Sequence, residues 1–274
     1  MKLSAEDASD IKDRGWRQGA FLSPELVNKV KISNNIARDS LEHLMILSHD
    51  CDVTNPKFEA EPTVELIGAI VDEKDGNKQH GKSPRVYQFE YSGEYYTLNI
   101  HQRYFVSRQI LCHEDPHFQL NPRECEKIQR WTARRYFRQG FPDEFNRRIQ
   151  PLFDRGKIRK LMKKHGDLFY GIYIDIGDHV EMEPDEAYEI TIWAVMDDAS
   201  FDDEQKKKQG DDVFQTLLKE IGTLKEHKIF LREGENVLKA AYEVTLSDMD
   251  LLKRWDFDDL SFKGDNINHL QHPY

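Results

Sequence analysis

The run Leu44-Met45-Ile46-Leu47 leaves no polar position on either side of an extended chain, so the pattern predicts a strand buried on both faces. It leads directly into Ser48-His49-Asp50-Cys51-Asp52, delivering five polar or reactive residues to its carboxyl end. Around it, Trp16 to Leu22 reads as a first strand with Gly19 as a bend. Ser23-Pro24-Glu25 opens a helix running to about Arg38, with Leu26, Val27 and Val30 inward. Glu61 to Val71 is β-branched, and Gly76-Asn77-Lys78 marks a loop. Arg85 to Glu90 and Glu94 to Ile100 flank a Ser92-Gly93 hairpin, and Tyr104 to Leu111 adds a last strand. Residues 1 to 15 are polar and read as a loose lead-in. About six strands and one helix in this stretch predict a small barrel or curled sheet.

The period then lengthens. Asn121-Pro122-Arg123-Glu124 is a helix start, with Asn121 as cap and Glu124 reaching back to it. Cys125, Ile128, Thr132 and Tyr136 share one face, while Lys127, Arg130, Arg134 and Arg138 share another. Gly140 and Pro142 end that helix, and two short helices follow, separated at Pro151. From Leu168 the pattern predicts strands over 169–176 and 188–196 around an acidic turn at Glu181 to Glu186. A helix over 204–226 carries Val213, Leu217, Ile221 and Leu224, and strands follow over 229–231 and 237–246. Arg254 to Leu260 closes the ordered part, with Asp256, Asp258 and Asp259 capping and turning, and Asp265 to Tyr274 reads as a frayed tail. The fold class is therefore α+β in three parts. A β-rich, barrel-like domain spans 1–118, a basic helical connector 119–166, and an α+β domain with an acidic surface 167–274.

Composition narrows the setting. Charged residues make up 32% of the 274, and no apolar run approaches the length needed to span a bilayer. With no cationic-then-apolar leader, the chain is expected to be cytoplasmic and away from membranes. Three cysteines, an odd number, suit reduced thiols. Arg123 to Lys164 carries +9 of a chain whose net charge is −11, leaving −20 elsewhere. Such polarisation calls for a polyanion or for an acidic mate in the same chain.

Two constellations carry chemistry. In an extended strand His49 and Cys51 point to one side and Asp50 and Asp52 to the other, so an imidazole could activate a thiolate. The plain alternative makes Cys51 a small buried residue and the aspartates turn formers. Zinc on His49-x-Cys51 with Cys112-His113-x3-His117 fits no standard ligand spacing, so neither metal nor cofactor is expected. Glu65 with Asp72-Glu73-Lys74 loosely suggests a metal nuclease, but 50 acidic residues make such a match unsurprising. The second constellation is cationic. Lys127, Arg130, Arg134, Arg138, Arg147 and Arg148, continued by Lys157, Arg159, Lys160, Lys163 and Lys164, interleave with Trp131, Tyr136 and Phe137, as a nucleic-acid surface requires. The alternative pairs these cations with Asp197, Asp198, Asp202 and Asp203.

The order of WRQGAFL, HLMILSHDCDV, TVELIGAIV and LNIHQRYFVSRQIL resembles the strand order of the PemK/MazF-like toxin barrel. That family's Arg-Pro before its second strand is replaced here by Glu42-His43, so its ribonuclease activity is not carried over. The combination of SHDCD with ARRY and FPDEFNRR is also similar to an uncharacterised bacterial family of this size, which implies a bacterial or phage origin and supplies no activity. The leading expectation is a binding or interaction protein, in a toxin or phage-defence setting, with nucleic acid or another protein as partner. The rivals are a cysteine-dependent hydrolase or nuclease near Cys51, and a structural subunit of a larger complex.

Overall fold

The structure, a computed structural model, describes residues 5–36, 41–137, 140–177 and 181–255. Two compact units are distinguished among them. Unit 1 takes residues up to Lys74 and Pro84–Arg135; unit 2 takes Asp75–Ser83 and the chain from Tyr136 onward.

Unit 1 contains α1 (Ala5–Asp13), β1 (Ala20–Phe21), α2 (Pro24–Ser33), β2 (His43–Ile46), α3 (Asp50–Val53), β3 (Thr63–Asp72), β4 (Val86–Tyr91), β5 (Glu94–Ser107), β6 (Phe118–Gln119) and α4 (Pro122–Phe137, in this unit up to Arg135). The strands form one antiparallel sheet in the order β4-β5-β3-β2-β1-β6, curled into a half-barrel. The apolar run at β2 alternates between two cores. Leu44 and Ile46 enter a cluster with Ile11, Trp16, Leu26 and Val30, beneath α1 and α2. Met45 and Leu47 enter another with Ile67, Leu98, Ile128 and Trp131, beneath α4. Water reaches neither side, and full burial of such side chains is worth about 1.5–3 kcal/mol each.

Local chemistry fixes the ends. Ser23 Oγ accepts from Leu26 N at 3.3 Å, as a cap should. The Ser92-Gly93 turn has both residues at positive φ (52° and 86°), the hairpin geometry. Several expectations are corrected. The lead-in is helical over Ala5–Asp13, because Ala8 and Ile11 are buried three residues apart. The first strand shrinks to two residues because Gly19, at φ +77°, turns the chain; a Cβ there would strike Cys125 Sγ. The two strands expected over 94–111 are one strand, β5, bulged opposite Gly68 and ending at Ser107, whose Oγ caps a 3-10 turn over Arg108–Leu111. Helix α2 stops at Ser33, with Asn35 at φ +53°; residues 37 and 38 of the expected helix lie outside the described residues.

Unit 2 contains α5 (Asp143–Asp154), α6 (Lys157–His165), β7 (Phe169–Asp175), β8 (Tyr188–Met196), α7 (Asp198–Asp202), α8 (Glu204–Ile221), β9 (Ile229–Leu231), β10 (Val237–Ala240), α9 (Leu246–Leu251) and β11 (Lys253–Arg254). The sheet runs β10-β8-β7-β11, with β9 also paired to β8; β9 and β10 are parallel to β8, and β7 is antiparallel to it. Helices α5, α6 and α8 cover one face through Phe145, Ile149, Met162, Val213 and Leu217. Helix α5 continues through Pro151, and the break falls at Gly156, whose φ of +66° no helix residue can hold. The strand expected over 237–246 stops at Ala240 as β10, with the Ala240 N–H donating to Glu243 Oε2 at 2.9 Å. Asp75–Ser83 docks within this unit. Gly76 N donates to Lys163 O at 3.0 Å, and the fully buried Lys82 donates from Nζ to Gly166 O (2.7 Å) and Phe169 O (3.1 Å). The expected turns at Asp256, Asp258 and Asp259 and the tail from Asp265 lie outside the described residues. Among the described residues no helix is long and apolar enough to cross a membrane.

Candidate functional site

The chain leaving β2 is clamped before it reaches its reactive residues. Leu47 N and Ser48 N both donate to Glu65 O (2.8 and 3.3 Å), and Ser48 Oγ accepts from Glu65 N at 2.8 Å. His49 then caps the single turn α3, its Nδ1 accepting from Cys51 N at 3.3 Å. That bond leaves the proton of the neutral imidazole on Nε2. Asp50 Oδ1 accepts from Gln18 N at 2.8 Å, and the carbonyls of Asp52 and Val53 accept from Arg108 Nη1 at 2.8 and 3.3 Å.

Beside this turn lies a cleft of about 430 Å³, large enough for a small ligand. Its walls are Ser48, His49 and Asp52 from the turn, Glu61, Thr63 and Glu65 from the approach to β3 and its first residues, Phe105 from β5, Gln129 from α4, and Gln18 and Leu47. Glu65 is held by Arg103, with Oε1 and Nη1 3.2 Å apart. Gln129 Nε2 donates to Gln18 Oε1, and Gln18 Nε2 to Leu47 O at 2.7 Å, so one wall is tied to the end of β2. Phe105 is 68% exposed, unusual for a large ring on an interior strand. Among the described residues no Lys or Arg lines the cleft, which carries three carboxylates and an imidazole.

The structure separates the four residues that the sequence grouped. Because Asp50–Val53 is a helical turn rather than extended chain, His49 and Cys51 do not share a strand face. The imidazole bonds the Cys51 backbone, and the exposed Cys51 thiol makes no hydrogen bond among the described residues. His49 and Asp52 line the cleft; Asp50 and Cys51 do not. Glu61, Phe105, Gln18 and Gln129 escaped the sequence reading, since no spacing joins them, and Glu65 lines the cleft without the Asp72-Glu73-Lys74 with which the sequence grouped it. Arg108 escaped it as well. Fully buried, with its guanidinium 4.0 Å from the Phe58 ring centroid, it braces α3, and burial pushes its pKa down. Among the described residues no group of three or more His, Cys, Asp or Glu side chains is placed to hold a metal ion.

The cationic residues are also divided. On α4, Lys127 pairs with Glu124 (3.0 Å) and Arg130 with Glu126 (2.6 Å), each within its own helix. Arg134 is half-buried, and Arg138 lies outside the described residues. Trp131, expected with Tyr136 to stack on bases, is 3% exposed in the core against Tyr87, while Tyr136, which shares a helix face with the buried Cys125 and Ile128 by spacing, is 67% exposed. On α5, Arg147 and Arg148 share Glu144, whose carboxyl they hold well below the usual range. Arg148 is 3% exposed; it donates to Glu186 O (2.6 Å) and Glu183 O (2.8 Å) and lies over the Tyr188 ring, so it braces the acidic turn and offers no surface. On α6, Lys157 pairs with Glu220 at 3.2 Å, whereas Lys160, Lys163 and Lys164 are exposed and make no ion pair among the described residues. Comparison of the chain with protein-family models, curated proteins and solved structures found no match.

Proposed function

We propose that unit 1 is a hydrolytic domain whose site is the cleft beside β2, with His49, Asp52 and Glu65 as its acid–base groups and with no thiol nucleophile. The observation that carries this reading is the shared cleft itself: an imidazole and three carboxylates gathered with an exposed aromatic ring on rigidly held backbone. Imidazole and carboxylate are the usual pair for moving protons to and from a reacting water or leaving group. Cys51 stands outside the lining, and the proposed reaction does not use its sulfur. Among the described residues the lining carries three carboxylates and neither Lys nor Arg, so a phosphate at the scissile position would meet repulsion. The substrate accordingly presents a neutral or cationic group there, with a flat apolar portion against Phe105.

A panel of chromogenic esters, amides and glycosides tests the reading. The parent should hydrolyse at least one class with a bell-shaped pH profile, His49→Ala and Glu65→Gln should lower kcat/KM by about 10²-fold or more, and Cys51→Ser should leave it unchanged. Loss of activity in Cys51→Ser with the melting temperature unaltered, or full activity in both cleft variants, would overturn it.

A further inference from the structure

Helix α6, Lys-Ile-Arg-Lys-Leu-Met-Lys-Lys-His, holds five Lys or Arg in nine residues and no acidic residue. On α4 and α5, Lys127, Arg130, Arg147 and Arg148 each have a glutamate three or four residues before them and pair with it. Lys160, Lys163 and Lys164 have none at those positions. Lys160 instead faces Lys163 and Lys164 at i+3 and i+4, and Arg159 faces Lys163 at i+4, an arrangement that destabilises an isolated helix. The negative end of the helix dipole accounts for Lys163 and Lys164 in the last turn, but not for Arg159 and Lys160 before them. The neighbouring helix does not compensate. Lys157–Glu220 (3.2 Å) and His165 with Gln209 (3.0 Å) set α6 antiparallel along α8, and that contact neutralises only Lys157.

We propose that the exposed face of α6 is a docking surface for the phosphate backbone of nucleic acid, engaged through Lys160, Lys163 and Lys164 without reading sequence. Charge complementarity points to the polyanion, and lysine ammonium groups on flexible stems suit phosphates rather than base edges. An anionic membrane shares that charge but needs apolar side chains free to insert beside the cations. Here the apolar residues of α6 are already used: Ile158 and Met162 are fully buried and Leu161 packs against the same core. The surface belongs to unit 2 and does not depend on the activity proposed for unit 1.

The test uses the full chain, a mixed-sequence DNA duplex and, separately, phosphatidylserine–phosphatidylcholine vesicles, titrated over a salt series. The duplex should bind with log affinity falling linearly in log salt. Lys160→Gln/Lys163→Gln/Lys164→Gln should flatten that slope by about 2.7, at roughly 0.9 per phosphate contact. The corresponding triple Arg variant should bind like the parent, which separates loss of charge from loss of fold. Arg130→Ala, already neutralised by Glu126, should leave the slope unchanged. Absence of duplex binding at low salt, an undiminished slope in the triple Gln variant, or binding to vesicles but not to the duplex would each overturn the proposal.

Discussion

Cys51 and Cys125 show how one residue type takes opposite characters. Cys51 is exposed on a helical turn, whereas Cys125 is 9% exposed on the buried face of α4, with burial pushing its thiol up to about 11 and Sγ 3.6 Å from Gln18 O. A maleimide at neutral pH should label Cys51 first and Cys125 last, followed by mass spectrometry of tryptic peptides; preferential labelling of Cys125 would contradict its burial. Because exposure alone gives Cys51 this advantage, fast labelling says nothing about catalysis. At β2, Ile46 is fully buried, so Ile46→Ala should cost about 2–5 kcal/mol in denaturant melts.

At the scale of the element, short-range rules held where a polar atom had one clear partner. Asn121 Oδ1 does cap α4, accepting from Glu124 N at 2.9 Å, and Asn121→Ala should lower stability by about 0.5–2 kcal/mol in thermal melts. The reciprocal half of that capping box is lost to tertiary structure: Glu124 accepts from Tyr87 Oη at 2.6 Å and from Lys127 instead. Periodicity misjudged the inward face of α4 at its far end. A step of four from Thr132 picks Tyr136, but the core takes Trp131, three residues beyond Ile128, because Tyr87 on β4 receives its ring. Pro151 was the wrong place for a helix boundary because a Gly at positive φ ends a helix more firmly than a proline bends one.

Across the molecule, the most consequential buried charge is Lys82. Its ammonium faces two backbone carbonyls, with Arg254 nearby and Asp167, Asp75 and Asp197 too weak to offset burial, so its pKa falls well below the ordinary 10.5. Between the lowered native value and 10.5 the unfolded chain binds more protons than the native one, so this residue makes stability rise with pH across that window. Below the window both states are protonated and the full cost of burying the charge is present. Lys82→Met should flatten the rise in unit 2 stability with pH, followed by hydrogen exchange of β7 and β8 amides; an unchanged pH slope would show that Lys82 stays charged.

The sequence by itself determined the mixed α and β character, the doubly buried strand at Leu44, the Ser92-Gly93 hairpin, the caps at Ser23 and Asn121, and the apolar stripe of α8. Each of these follows from residues close together in the chain, where periodicity and side-chain-to-backbone bonding act without long-range help. Only the tertiary structure decided that His49 and Asp52 share a cleft with Glu61, Glu65, Phe105, Gln18 and Gln129, that Arg148 and Lys82 are buried braces, and that Lys160, Lys163 and Lys164 on α6 make no ion pair among the described residues. Those outcomes depend on which distant elements the sheets bring together, and side chains separated by dozens of residues leave no local pattern to read.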